Sequence, residues 1–120
     1  MFSVKYILLP LLCVCCLSGC NGQETFGTEY VKLEKVIEMP SVNGRIDHMA
    51  VNLKKQILYI AALGNNSLEI IDLHSGTVIH SISGLDEPQG VAYIPERDEI
   101  TVANGGNGNC IFYNATTYVI

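Results

Sequence analysis

The residues best placed to do chemistry are Arg45, Asp47 and His48, in the run Arg45-Ile46-Asp47-His48. Histidine titrates near neutrality, and a neighbouring carboxylate can orient the ring and balance its charge. The pair could therefore act as an acid and base, or supply two ligands to a metal. Strand alternation puts Asp47 and Met49 on one face and Ile46 and His48 on the other. The plain alternative is a polar rim making hydrogen bonds between neighbouring elements.

No second constellation joins them. His74 and His80 form neither a His-x-His nor a His-x3-His pattern, and no carboxylate cluster accompanies them at ligand spacing, so no metal site is expected. His80 shares a strand face with Val78 and Ile82 and reads as a half-buried packing residue. Cys110 reads as a small core hydrophobe. Gly64-Asn65-Asn66 and Gly105-Gly106-Asn107-Gly108 could offer backbone amides to an anion. Neither is followed by a helix or a Lys-[Ser/Thr] pair, so both read as hairpin turns needing left-handed residues. Asp72 reads as a turn cap and Gly76 as a positive-φ position. No nucleophile–base–orienter triad can be assembled, and no cofactor is implied.

The elements that must position these residues emerge from comparing the chain with itself. A shift of 42 residues places Val36-Ile37 on Val78-Ile79, Ser41 on Ser83, Ala50 on Ala92, Ala61 on Ala103, Gly64 on Gly106 and Asn65 on Asn107. No insertion is required. Each period holds four short β-type segments, 46–52, 57–62, 67–72 and 77–83, then 88–94, 99–104, 109–114 and the start of a fourth at 117–120. The spacers 53–56, 63–66, 95–98 and 105–108 are rich in Gly, Asn, Pro and charge. An earlier segment, 30–39, aligns with the fourth strand through Val36-Ile37. Four strands in about 42 residues, recurring, point to an all-β protein of four-stranded antiparallel propeller blades.

Residues 1–20 have a different character. Met1 to Lys5 is a short basic stretch, and a 12-residue apolar run follows, too short to span a bilayer. The run closes on Leu17-Ser18-Gly19-Cys20, which resembles the bacterial lipobox. That resemblance implies a signal peptide over 1–19, lipid on the Cys20 thiol and a tether over 20–29, which leaves 30–120 for the partial propeller that the 42-residue repeat indicates. It implies a membrane partner through lipidated Cys20, and Asn21 favours an outer-membrane, periplasm-facing location. Cys13, Cys15 and Cys16 leave with the leader, so Cys110 has no intramolecular disulfide partner.

Leu58-Tyr59-Ile60-Ala61-Ala62, Leu68-Glu69-Ile70-Ile71-Asp72, Gly76-Thr77-Val78 and Pro88-Gln89-Gly90-Val91-Ala92 resemble the YVTN-type β-propeller repeat. The resemblance covers nearly all of 30–120 and speaks to fold more than to activity. It implies that Arg45, Asp47, His48 and Gln89 stand at one mouth of a central channel. Gly90 is replaced by His48 in the earlier copy, and Gly76 by Tyr118 in the later one.

Length and charge bound the function. Without the leader 100 of the 120 residues remain, with 6 basic against 12 acidic groups once Lys5 is removed, a net of −6. This disfavours nucleic-acid binding, which relies on Lys and Arg to neutralise phosphates. Two blades also fall short of the minimum of about four that closes a propeller. The expectation is an incomplete ring, the N-terminal piece of a larger propeller and not a stable monomer, because open blades leave faces and edges bare. The leading functional expectation is an envelope lipoprotein that binds a protein or small-molecule ligand as a scaffold. The alternative is part of a lactonase-like, gluconolactonase-like or quinoprotein-like propeller enzyme, completed by other blades.

Overall fold

Short β-branched and aromatic runs, each bounded by turn residues, form seven strands in the computed structural model, which describes residues 31–120. The proposed leader, the Cys20 lipidation site, the tether and Tyr30 lie outside the described residues. The strands are β1 (Met49–Asn52), β2 (Ile57–Ala62), β3 (Ser67–Asp72), β4 (Thr77–Ser83), β5 (Pro88–Ile94), β6 (Glu99–Asn104) and β7 (Cys110–Asn114). The protein is all-β. β1 to β4 make one antiparallel sheet in sequential order, and β5 to β7 make a second.

Five of the seven strands match the sequence expectation to the residue, and β7 starts one residue late. β1 starts three residues late, at Met49 in place of Ile46. The ladder continues upstream in irregular form: Asp47 N donates to Ala61 O at 2.9 Å, and Ala61 N donates to His48 O at 2.9 Å. Two residues there face one, which is a bulge. Two other expected segments are not strands. Residues 31–39 lack a ladder, although Lys35 Nζ donates to Ser75 O at 2.7 Å. Residues 117–120 make a single rung, Asn114 N to Val119 O at 2.8 Å. An apolar β-like run becomes a strand only when an edge supplies successive partners.

The two sheets repeat one another geometrically. Asn52 pairs with Ile57 as Ile94 pairs with Glu99, and Ala61 pairs with Leu68 as Ala103 pairs with Cys110, each 42 residues on. Left-handed backbone recurs at the same interval: Gln56 and Asp98, Asn66 and Gly108, Gly76 and Tyr118. The β3–β4 turn is capped by His74 N on Asp72 Oδ1 at 2.8 Å, and its counterpart by Thr116 N on Asn114 Oδ1 at 2.9 Å. Asp72 and Gly76 are turn residues, as expected. The extra residue Gln89, between the Pro88–Asn104 and Gly90–Ala103 pairs, mirrors the bulge at Asp47.

The core lies between the sheets. Ala50, Ile57, Tyr59, Leu68, Ile70 and Ile82 share one face of the first sheet. They pack against Val91, Tyr93, Ile100, Val102, Ile111 and Tyr113 of the second. Shifted back by 42, that second set falls on Met49, Val51, Leu58, Ile60, Glu69 and Ile71, the opposite face of the first sheet. The front of one sheet therefore meets the back of the next. Tyr59 and Tyr93 stack across the interface with centroids 5.8 Å apart. Ile70 is fully buried there, so truncation to alanine would cost about 2–5 kcal/mol.

Candidate functional site

The loop between β2 and β3 fixes the approach of Arg45. Gly64 N donates to Arg45 O at 2.9 Å, and a Cβ on Gly64 would fall 2.5 Å from Arg45 N. Only glycine lets the two backbones come so close. The chain then enters the bulge at Asp47 and His48, which breaks the alternation expected from a regular strand. In place of opposite faces, Asp47 Oδ1 and His48 Nδ1 lie 3.3 Å apart. Arg45 Nη2 donates to Asp47 Oδ2 at 3.0 Å. Arg45 and His48 are open to solvent at 66% and 69%, and Asp47 is half-buried between them.

The second sheet contributes Gln89, through its backbone. The Gln89 carbonyl lies 2.8 Å from His48 Nδ1. A carbonyl only accepts, so Nδ1 carries the proton and Nε2 of the neutral ring keeps a lone pair facing away. The Gln89 side chain lies over Gly105 instead. The linker between the sheets is pinned beside this junction. Asn66, in the left-handed region, accepts from Leu85 N through its carbonyl at 3.0 Å and from Glu87 N through its side chain at 3.0 Å. All four sequence-predicted residues, Arg45, Asp47, His48 and Gln89, thus meet where the two bulges adjoin.

No protein-family model matches the chain, and no curated protein matches it. What the site can do therefore rests on its chemistry. A guanidinium, a carboxylate and an imidazole with a free lone pair can hold a polar ligand or exchange a proton with it. Among the described residues, no group of three or more His, Cys, Asp or Glu side chains could hold a metal.

Two polar clusters escaped the sequence reading. Asp98 accepts from Lys55 Nζ at 3.0 and 3.2 Å, from Tyr93 Oη at 2.9 Å and from Thr116 Oγ1 at 2.8 Å. These hydrogen bonds, that of Lys55 foremost, hold its carboxyl below the ordinary 3.8. The cluster ties the β1–β2 turn to the second sheet and borders an open groove of about 490 Å³ lined by Val51, Leu53, Tyr93 and Pro95. Its sequence signal was only a charged turn, because Lys55 and Asp98 are 43 residues apart. Glu69, 2% exposed, accepts from Ser67 Oγ and Ser81 Oγ at the floor of a groove of about 530 Å³ under residues 36–42. Alternating Ser67-x-Glu69 was the available signal.

The remaining expectations divide. Asn66 and Gly108 take the left-handed conformation that their hairpins require. His80 is exposed, although its ring stacks on Tyr118 at 4.6 Å. The β4 bulge at Ile79 also removes the alternation that placed Val78 on its face. Cys110 is exposed and not in the core, because no described residue covers the face of the second sheet that carries it. Its Sγ lies 3.0 Å from Thr101 Oγ1.

Proposed function

We propose that the chain is a lipid-anchored cell-envelope protein whose sheets are YVTN-type propeller blades serving as a binding scaffold. The observation that carries the binding reading is the exposed Arg45–Asp47–His48 cluster, closed by the Gln89 carbonyl of the adjoining sheet. It presents a cation, an anion and a lone pair to solvent at one sheet junction. Such an open site suits a polar ligand that can pair with its charges and hydrogen-bonding groups. The blade reading is supported by the 42-residue recurrence of left-handed positions and by front-to-back packing, which a propeller repeats around its ring. Anchoring is supported by Leu17-Ser18-Gly19-Cys20 alone.

Each part has its own test. In a bacterial host the chain should incorporate labelled palmitate, and Cys20→Ala should abolish incorporation; label retained by the variant would refute the anchor. Thermal-shift screening against small dicarboxylates, amino acids and short peptides should find a ligand whose stabilisation is lost in Asp47→Ala and His48→Ala. Stabilisation that survives both substitutions would place binding elsewhere.

A second reading, part of a lactonase-like hydrolase, draws on the 3.3 Å contact between Asp47 and His48 and on the lone pair left at Nε2. Metal-dependent lactone hydrolysis lost on Asp47→Ala would favour it. No turnover with any divalent metal would remove it.

A further inference from the structure

Three Asn-Gly steps lie among the described residues: Asn43-Gly44, Asn104-Gly105 and Asn107-Gly108. Asparagine followed by glycine can react with itself. The backbone nitrogen of the glycine attacks the asparagine Cγ, and glycine, without a Cβ, leaves that nitrogen uncrowded. The glycine N–H must be free, because a nitrogen whose proton is held by a carbonyl attacks only after the loop opens. The three steps differ in this respect.

Two of them are closed. Gly105 N donates to Glu87 O at 2.8 Å, and Asn104 is 3% exposed with its Oδ1 accepting from Asp86 N at 3.2 Å. Gly108 N donates to Asn104 O at 2.9 Å, and Asn107 Oδ1 accepts from Asn109 N at 2.9 Å. Asn43-Gly44 is open. Both residues are exposed, and among the described residues neither Gly44 N nor the Asn43 carboxamide has a hydrogen-bond partner. Asn43 is held through its backbone N, which donates to Asn65 Oδ1 at 3.2 Å.

We propose that Asn43 is a self-modification site that converts to aspartate and isoaspartate, and so alters the Arg45–Asp47–His48 cluster that it precedes. Solvent base takes the Gly44 amide proton. The nitrogen bonds to Asn43 Cγ while the Cγ–Nδ2 bond breaks, and the side-chain amide takes up a proton and leaves as ammonia. Water then opens the five-membered imide at either carbonyl. Opening at Cγ gives aspartate. Opening at the backbone carbonyl gives isoaspartate, whose main chain runs through Cβ and Cγ and is one carbon longer. Either product puts a new carboxylate two residues before Arg45. The longer form also enters a contact without slack: a Cβ on Gly44 would fall 2.9 Å from Gly64 Cα, and Gly64 N donates to Arg45 O at 2.9 Å. The extra carbon loosens that hold on Arg45. The reaction needs no ligand, so it stands whether or not the cluster binds one.

The test is peptide mass spectrometry of the full chain after incubation in mildly alkaline buffer with non-ionic detergent, with fragment ions locating each new acid. Asn43 should convert about tenfold faster than Asn104 and Asn107, the factor that one retained backbone hydrogen bond supplies. In guanidinium chloride the three rates should converge, and Asn43→Gln should leave its peptide unchanged. Three outcomes would overturn the proposal: an Asn43 that stays amidated, Asn104 or Asn107 converting as fast in the folded chain, or a gap of the same size after unfolding. Hydrogen exchange reads the effect on the cluster. The Gly64 amide should exchange about tenfold faster in the isoaspartyl form than in fresh protein. Asn43→Asp, which adds the charge without the length, should match fresh protein. Gly64 exchange unchanged in the isoaspartyl form would refute the effect on Arg45.

Discussion

His48 Nδ1 lies 2.8 Å from the Gln89 carbonyl, so the one imidazole at the candidate site is oriented by the backbone of the adjoining sheet. The bulges at the starts of β1 and β5 make the contact available. Without them His48 would follow strand alternation away from Asp47.

That hydrogen bond fixes a tautomer. In the neutral ring the proton should sit on Nδ1, and nitrogen NMR shifts should report Nε2 as the unprotonated atom. A ring found with the proton on Nε2 would mean that the Gln89 contact is absent in solution.

Tyr59 carries a buried hydroxyl with no hydrogen-bond partner among the described residues. Burial pushes its pKa up to about 12, with the nearby Asn52 amide pulling the other way. Neither Tyr59 Oη nor Asn52 Nδ2 closes a hydrogen bond. Tyr59→Phe keeps the stack on Tyr93 and removes the orphan. Stability should be unchanged or rise by up to about 1 kcal/mol in urea unfolding. A loss larger than that would show that the hydroxyl is paired.

Acid should weaken the tie between the two sheets. The Asp98 carboxyl titrates below 3.8 in the folded chain because Lys55, Thr116 and Tyr93 donate to it. Its contribution is complete above the unfolded value and fades as pH falls through the lower, folded value. Asp98→Asn should therefore lower stability modestly at pH 7 and flatten the acid limb of the stability curve. An acid limb identical to wild type would contradict the assignment.

Turn geometry gives a test free of packing. Gly108 has φ +73 and open space around a would-be Cβ, so Gly108→Ala should cost about 1 kcal/mol of backbone strain alone. Gly108→Asn should cost less, since Asn66 holds the same turn position 42 residues earlier at φ 52. Equal costs for the two variants would break the correspondence.

Much of this fold was legible in the residues. The runs ending at Ala62, Asp72 and Asn104 are bounded by turn chemistry that acts locally, and their ends follow from it. The clustering of Arg45, Asp47, His48 and Gln89 was legible as a junction, but its geometry was not. A bulge adds one residue without a composition signal, so β1 begins at Met49 and Asp47 turns beside His48. Residues 31–39 and Cys110 were misjudged for a different reason. Whether an apolar run pairs, or a cysteine is covered, depends on what lies across from it. Asp98 shows the same limit, since its hydrogen bond to Lys55 spans 43 residues.

Front-to-back packing of the sheets is the central claim, because the blade reading depends on it. Aromatic NOEs test it most directly. Contacts between the Tyr59 and Tyr93 rings, 5.8 Å apart at their centroids, should be strong, and Phe112 should show none to Tyr59 or Leu68 within one chain. NOEs from Phe112 to Tyr59 or Leu68 would mean that two like faces meet, as in an ordinary sandwich, and would contradict the account.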